Sequence, residues 1–180
     1  MKTIGVAVIG AGIMGNAHAG AVAADPRGRL VSVASLPIDG ARRVAAQYGA
    51  TVATDNYLDL LARSDVDLVV IATPDHLHTE IAIATAEAGK ALLVEKPLAT
   101  SLADADRVID AVERSGVTAM TGFSHRWIPS YARAREEIAA GLLHRMVQAL
   151  KAEDMDAFFG LLRSFFADIH YDLQIKQMDR

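Results

Sequence analysis

Residues 3–15 read TIGVAVIGAGIMG, and few stretches leave a chain so little conformational freedom. Ile4, Val6, Val8 and Ile9 make the short apolar run that a strand buried on both faces requires. Glycine then arrives at Gly10, Gly12 and Gly15, and residues 13–24 continue rich in alanine with apolar side chains at helical spacing. A G-x-G-x-x-G where a strand passes into a helix is the pattern of a dinucleotide-binding turn. Each glycine then has a physical task. Gly10 permits the tight turn, Gly12 puts no side chain between backbone and diphosphate, and Gly15 lets the helix pack close on the strand. The free N–H groups of that helix, which begins with Ile13 and Met14, face the phosphates together with the positive end of its dipole. A glycine-rich turn that merely packs is the alternative, and the strand before and the helix after argue against it.

The uncharged run 3–24 is long enough for a membrane span or a signal sequence, but five glycines, Asn16 and His18 interrupt it. A dinucleotide turn accounts for those glycines, and a soluble protein is expected. At 180 residues, 52% hydrophobic and 22% charged, the chain can bury a core. A net charge of −4 without a Lys/Arg cluster offers nucleic acid no basic surface. The absence of cysteine removes disulfides, thiolate metal sites and cysteine nucleophiles, and leans towards the cytoplasm.

Strand and helix signals alternate along the chain. Apolar runs at 30–34, 51–53, 67–72, 91–94 and 117–121 read as strands, and helical periodicity follows at 41–48, near 58–61, at 75–88, 101–116 and 131–140. Asp75 and Ser101 stand where helix caps belong. The alternation predicts an α/β fold: a doubly wound parallel sheet of Rossmann type with helices on both faces, over residues 1–143. Ligands of such sheets sit at the carboxyl ends of the strands. The unusual polar residues gather there, at 10–15, Ser35, 73–78, 95–97 and 122–127.

Twenty residues after Gly15, where an acid normally holds the adenosine ribose, this chain has Ser35. Without that carboxylate a 2′-phosphate meets no repulsion, and Ser35 with Arg42 or Arg43 can bind it, which leans the cofactor to NADP over NAD. Asp39 reaching the ribose would weaken that lean. Glu95, Lys96 and Pro97 form the most telling triplet. A lysine at a buried strand end is costly unless paired or used, Glu95 is the nearest partner, and Pro97 stiffens the turn. Beside a dinucleotide, such a lysine hydrogen-bonds the hydroxyl being oxidised and stabilises the alkoxide as hydride leaves. A surface ion pair is the alternative. His76 and His78, two apart with no third ligand near, do not make a metal site, so no metal is expected. His18 is expected to pack on the first helix, while Trp127 and Tyr131 stack on a sugar or pack in the core.

Taken together, these residues resemble the glucose-fructose oxidoreductase, inositol dehydrogenase and MocA family. The resemblance runs over about residues 3–143. It is carried by Gly10, Ala11, Gly12, Ile13, Met14 and Gly15 with His18; Ala72, Thr73 and Pro74 with His78; Ala88, Gly89 and Lys90 leading to Glu95, Lys96 and Pro97; and Gly122 and Phe123 followed by Arg126 and Pro129. It implies NAD- or NADP-dependent hydride transfer to or from a CH–OH group of a small sugar or cyclitol. Lys96 is then the catalytic residue at the nicotinamide. Thr73, Pro74 and His78 line the cofactor, and Glu95 and Arg126 border the same cleft.

The resemblance also implies a second α/β domain that completes the substrate site, and the chain stops short of it, so a truncated or fused dinucleotide-binding module without turnover is the alternative reading. Residues 144–180 differ in composition, with Phe158, Phe159, Phe165 and Phe166 in a helical tail whose exposed apolar face would favour self-association. Asp168 and His170 are one residue apart, not the three of the family's proton relay, and are not assigned that role.

Overall fold

A computed structural model describes residues 3–162. The chain divides between Gly122 and Phe123 into two compact units, so residues 123–143, grouped above with the dinucleotide-binding domain, fall in the second. In the first unit, β1 (Ile4–Ile9), β2 (Gly28–Ala34), β3 (Val52–Thr54), β4 (Leu68–Ile71), β5 (Ala91–Glu95) and β6 (Ala119–Gly122) form one sheet in the order β3-β2-β1-β4-β5-β6. Every pairing is parallel. Between the strands lie α1 (Ile13–Ala24), α2 (Ile38–Tyr48), α3 (Leu58–Leu61), α4 (His78–Glu87) and α5 (Leu102–Ser115).

Side-chain alternation in β1 shows why both faces must be covered. Val6 and Val8 point into one apolar cluster with Ala19, Leu30, Val33, Ala41 and Val44, so α1 and α2 close that face. Ala7 and Ile9 point into the other with Leu60, Ile81, Ala82, Val108 and Ala111, so α3, α4 and α5 close the opposite one. A strand apolar on both sides, as the run 4–9 is, has no stable place except between two helical layers. Since β1 lies between β2 and β4, the strand order reverses beside it, and the crevice of a doubly wound sheet opens at that point.

Local chemistry sets the start of α5. Ser101 caps α5: its hydroxyl oxygen accepts the Asp104 N–H at 3.1 Å and its O–H donates to the Asp104 carboxylate at 2.8 Å. That hydroxyl, followed by Arg107, holds the Asp104 carboxyl below the usual range. A depressed carboxyl stabilises above its unfolded value, and the contribution drains away as pH falls through the folded one. Ser101→Ala is expected to lower unfolding free energy by about 1 kcal/mol, read as a lower urea midpoint at unchanged m.

Asp75 does not cap α4. It opens a 3-10 turn, Asp75–Leu77, that runs straight into the helix, so the cap position moves to Leu77, which makes no side-chain cap hydrogen bond.

The second unit holds a 3-10 turn (Ser124–Trp127), α6 (Pro129–Ala139) and α7 (Leu142–Lys151). Helix α6 begins two residues earlier than its apolar periodicity suggests because Pro129 is pre-set for the first helical position. The tail is not continuous helix. It breaks after α7, with Glu153 in the left-handed region (φ 56°) and the Asp154 carboxylate accepting the Ala157 N–H at 2.9 Å, and residues 155–162 are helical again. Phe165, Phe166, Asp168 and His170 lie outside the described residues.

Candidate cofactor-binding site

A cleft of about 660 Å3 opens at the carboxyl ends of β1 to β4. Gly10, Gly12, Ile13 and Met14 form one wall, Ser35 and Leu36 a second, and Thr73 and Pro74 a third. The three glycines of the turn meet different surroundings. Gly10 has φ +103°, and a Cβ there would collide with the Ala72 carbonyl oxygen, so the chain turns where only glycine fits. On Gly15 a Cβ would collide with the Gly10 carbonyl oxygen, which fixes how closely α1 approaches the turn. On Gly12, the N-cap of α1, a Cβ would meet nothing within 4 Å. Gly12 is exposed and leaves open space above a helix N-terminus that no side chain caps. This is the shape a diphosphate needs, so the donor set fits a dinucleotide.

The second wall is built by close packing of α2. A Cβ on Gly40 would lie 3.0 Å from Ser35 Oγ and 3.1 Å from Ala11 Cβ, so a bare residue lets α2 press against the glycine turn. Arg43 exploits that closeness, its Nη2 donating to the Ala11 carbonyl at 3.0 Å. Arg42 does not join it. Exposed, it pairs with Asp39 at 3.3 Å, so of the two arginines after Ser35 it is Arg43 that stands at the turn. Asp55 and Tyr57, just past β3, also line the cleft. Neither is among the residues expected above, although the strand-end rule applied to β3 points at them.

His78 lies behind the lining. It is fully buried, with Nδ1 2.7 Å from the Pro97 carbonyl oxygen and Nε2 3.0 Å from that of Thr73. Whichever nitrogen carries the proton, the ring bridges the loops after β4 and β5. Its contribution to the cofactor wall is therefore made through Thr73. Among the described residues no three histidine, aspartate or glutamate side chains gather as a metal site would require.

At the end of β5 the expected Glu95–Lys96 ion pair is not made. Lys96 is exposed, so the burial cost invoked for it does not arise, and Glu95 is the buried member. The Glu95 carboxylate turns back into the fold, where Oε1 meets His18 Nε2 at 2.8 Å and Oε2 accepts the Lys96 backbone N–H at 3.2 Å. His18 thus reaches across to β5 instead of only packing on α1. Among the described residues no carboxylate pairs with the Lys96 ammonium. Arg126 is exposed in the 3-10 turn of the second unit.

The family model for Gfo/Idh/MocA, an oxidoreductase family with an NAD-binding Rossmann fold, matches residues 4–123. The chain belongs to the Gfo/Idh/MocA oxidoreductase family. Among relatives, inositol 2-dehydrogenase 1 of Saccharopolyspora erythraea is 37% identical over 142 residues, 77% of this chain and 42% of that protein. Among solved structures, GenD2 of gentamicin A biosynthesis, in complex with NAD, superposes with a TM-score of 0.72 at 37% identity, over 76% of this chain and 39% of its own. KijD10, a 3-ketoreductase from Actinomadura kijaniata in complex with TDP-benzene and NADP, gives 0.72 at 30% identity, over 78% and 44%. This Gfo/Idh/MocA chain therefore spans about two fifths of the length of these relatives. No helix among its described residues is long and apolar enough to cross a membrane.

Proposed function

We propose that this chain is the cofactor-binding part of an NAD(P)-dependent oxidoreductase acting on a CH–OH group of a sugar or cyclitol, in the cytoplasm. The observation that carries the reading is the bare cradle at Gly12, open space over the uncapped start of α1. Main-chain N–H groups there bind the diphosphate, Gly10, Ile13, Met14 and Thr73 shape its walls, and Pro74 flanks the nicotinamide side. A nicotinamide cofactor held there would supply the hydride acceptor for oxidation of CH–OH to C=O. Lys96 would donate a hydrogen bond to the hydroxyl oxygen and stabilise the developing alkoxide. No ion pair among the described residues holds the ammonium, which leaves it available for that contact.

For the cofactor, Ser35 without a carboxylate and Arg43 at the glycine turn favour NADP, while Asp55 is the acidic group in the lining that works against it. NADPH is expected to quench and bind more tightly than NADH in a fluorescence titration. Arg43→Ala should cost NADPH about tenfold, one charge-assisted contact, and leave NADH unchanged. Tighter binding of NADH by the unsubstituted chain overturns the NADP reading. The second reading is a module that binds without turning over, and absence of turnover over a polyol panel, with binding intact, would establish it.

A further inference from the structure

We infer that His18 and Glu95 form a brace that ties the diphosphate-gripping helix α1 to the peptide of Lys96, making both of them positioning residues for that lysine. One buried carboxylate receives three elements. From α1 comes His18 Nε2, 2.8 Å from Oε1, and from the end of β5 comes the Lys96 N–H, 3.2 Å from Oε2. From β6 comes Gly122, where a Cβ would press within 3.2 Å of Oε1. The side chains of His18 and Glu95 are 24% and 8% exposed, so the pair is screened from water and an unmet carboxylate oxygen there would be expensive. The direction of each bond follows from chemistry alone. A backbone N–H can only donate, so Oε2 must accept from Lys96. The carboxylate can only accept, so His18 must carry its proton on Nε2.

The consequence is geometric coupling. Helix α1 is placed near its start by the contact of Gly15 with the Gly10 carbonyl and, less than one turn later, by His18 on Glu95. The frame that aims main-chain N–H groups at a diphosphate is then the frame that sets the Lys96 peptide, 77 residues after His18 in sequence. Gly122 serves the brace by leaving the carboxylate room.

The chain itself carries the test, through imidazole and amide nuclei and without turnover. In its neutral form the His18 ring should sit locked with Nε2 pyrrole-like and Nδ1 pyridine-like in 15N spectra. In Glu95→Gln the amide oxygen must stay on the Lys96 N–H, so the NH2 group faces His18. The ring then switches to the Nδ1–H tautomer, and its two nitrogen signals exchange character while Lys96 amide protection is retained. Glu95→Ala and His18→Ala should speed hydrogen exchange at the Lys96 amide, by about tenfold and a few-fold respectively, the loss of about one hydrogen bond. Amides of Val8 and Val70 in the sheet centre stay unchanged. A His18 ring that averages between tautomers in the unsubstituted chain, or Lys96 exchange indifferent to His18→Ala, overturns the brace. Both measurements stand even if Glu95→Ala fails to fold.

Discussion

Gly12→Val should abolish nicotinamide cofactor binding while leaving the fold intact. At this position the backbone is extended (φ −77°, ψ −163°), which any residue adopts, and a Cβ touches nothing within 4 Å. Replacing glycine at an N-cap by an apolar residue costs on the order of 1 kcal/mol, so the urea midpoint should move little. The isopropyl group, however, occupies the space the diphosphate needs and holds it away from the N–H groups of α1. The expected loss of affinity for NADPH or NADH is more than about 100-fold, or about 3 kcal/mol. Lys96→Ala is the contrast, since that exposed side chain lies outside the cleft lining at the end of β5, and affinity should stay within about threefold. Gly12→Val binding as tightly as the unsubstituted chain would mean that the diphosphate is gripped elsewhere, and the proposed function falls with it.

What could be read beforehand was whatever the chemistry made local. The strand, three glycines and helix at residues 4–24 are adjacent in sequence, and each constrains the next. Buried strands announce themselves as uninterrupted apolar runs, and β4 and β5 do so clearly. What was not legible depends on distances that no window of sequence contains. Arg42 and Arg43 are equivalent as neighbours on a helix. Only the close approach of α2 at Gly40 decides that Arg43 meets Ala11 while Arg42 pairs with Asp39. The partner of Glu95 was sought at the adjacent lysine and stands 77 residues away on α1. Asp55 and Tyr57 escaped although 51–53 read as a strand, because β3 is a three-residue edge strand and nothing in its sequence shows that the loop after it reaches the cleft.

Gly15→Ala should do the reverse of Gly12→Val, removing stability first and binding as a consequence. Inside a helix the exchange of glycine for alanine ordinarily stabilises, by about 1 kcal/mol, because alanine loses less backbone entropy on folding. Here the sign inverts. An alanine methyl would lie far inside contact distance of the Gly10 carbonyl oxygen and 2.8 Å from its carbon, and both atoms are backbone in a turn that Ala72 already confines. No side chain can rotate away, so α1 must lift from β1. A forced displacement in a packed layer costs about 3 kcal/mol or more. The lift also withdraws the helix N-terminus from the cleft and pulls His18 from Glu95. Gly20→Ala, in the same helix, separates propensity from packing. The atoms nearest its Cβ would be those of the Tyr48 side chain, at 3.2 Å, which can yield where backbone cannot, so that substitution should be close to neutral. Urea unfolding of the two variants decides the matter. A Gly15→Ala chain as stable as the original would show that α1 does not rest on the turn as closely as Gly10 and Gly15 require, and the cradle would lose the geometry on which cofactor binding depends.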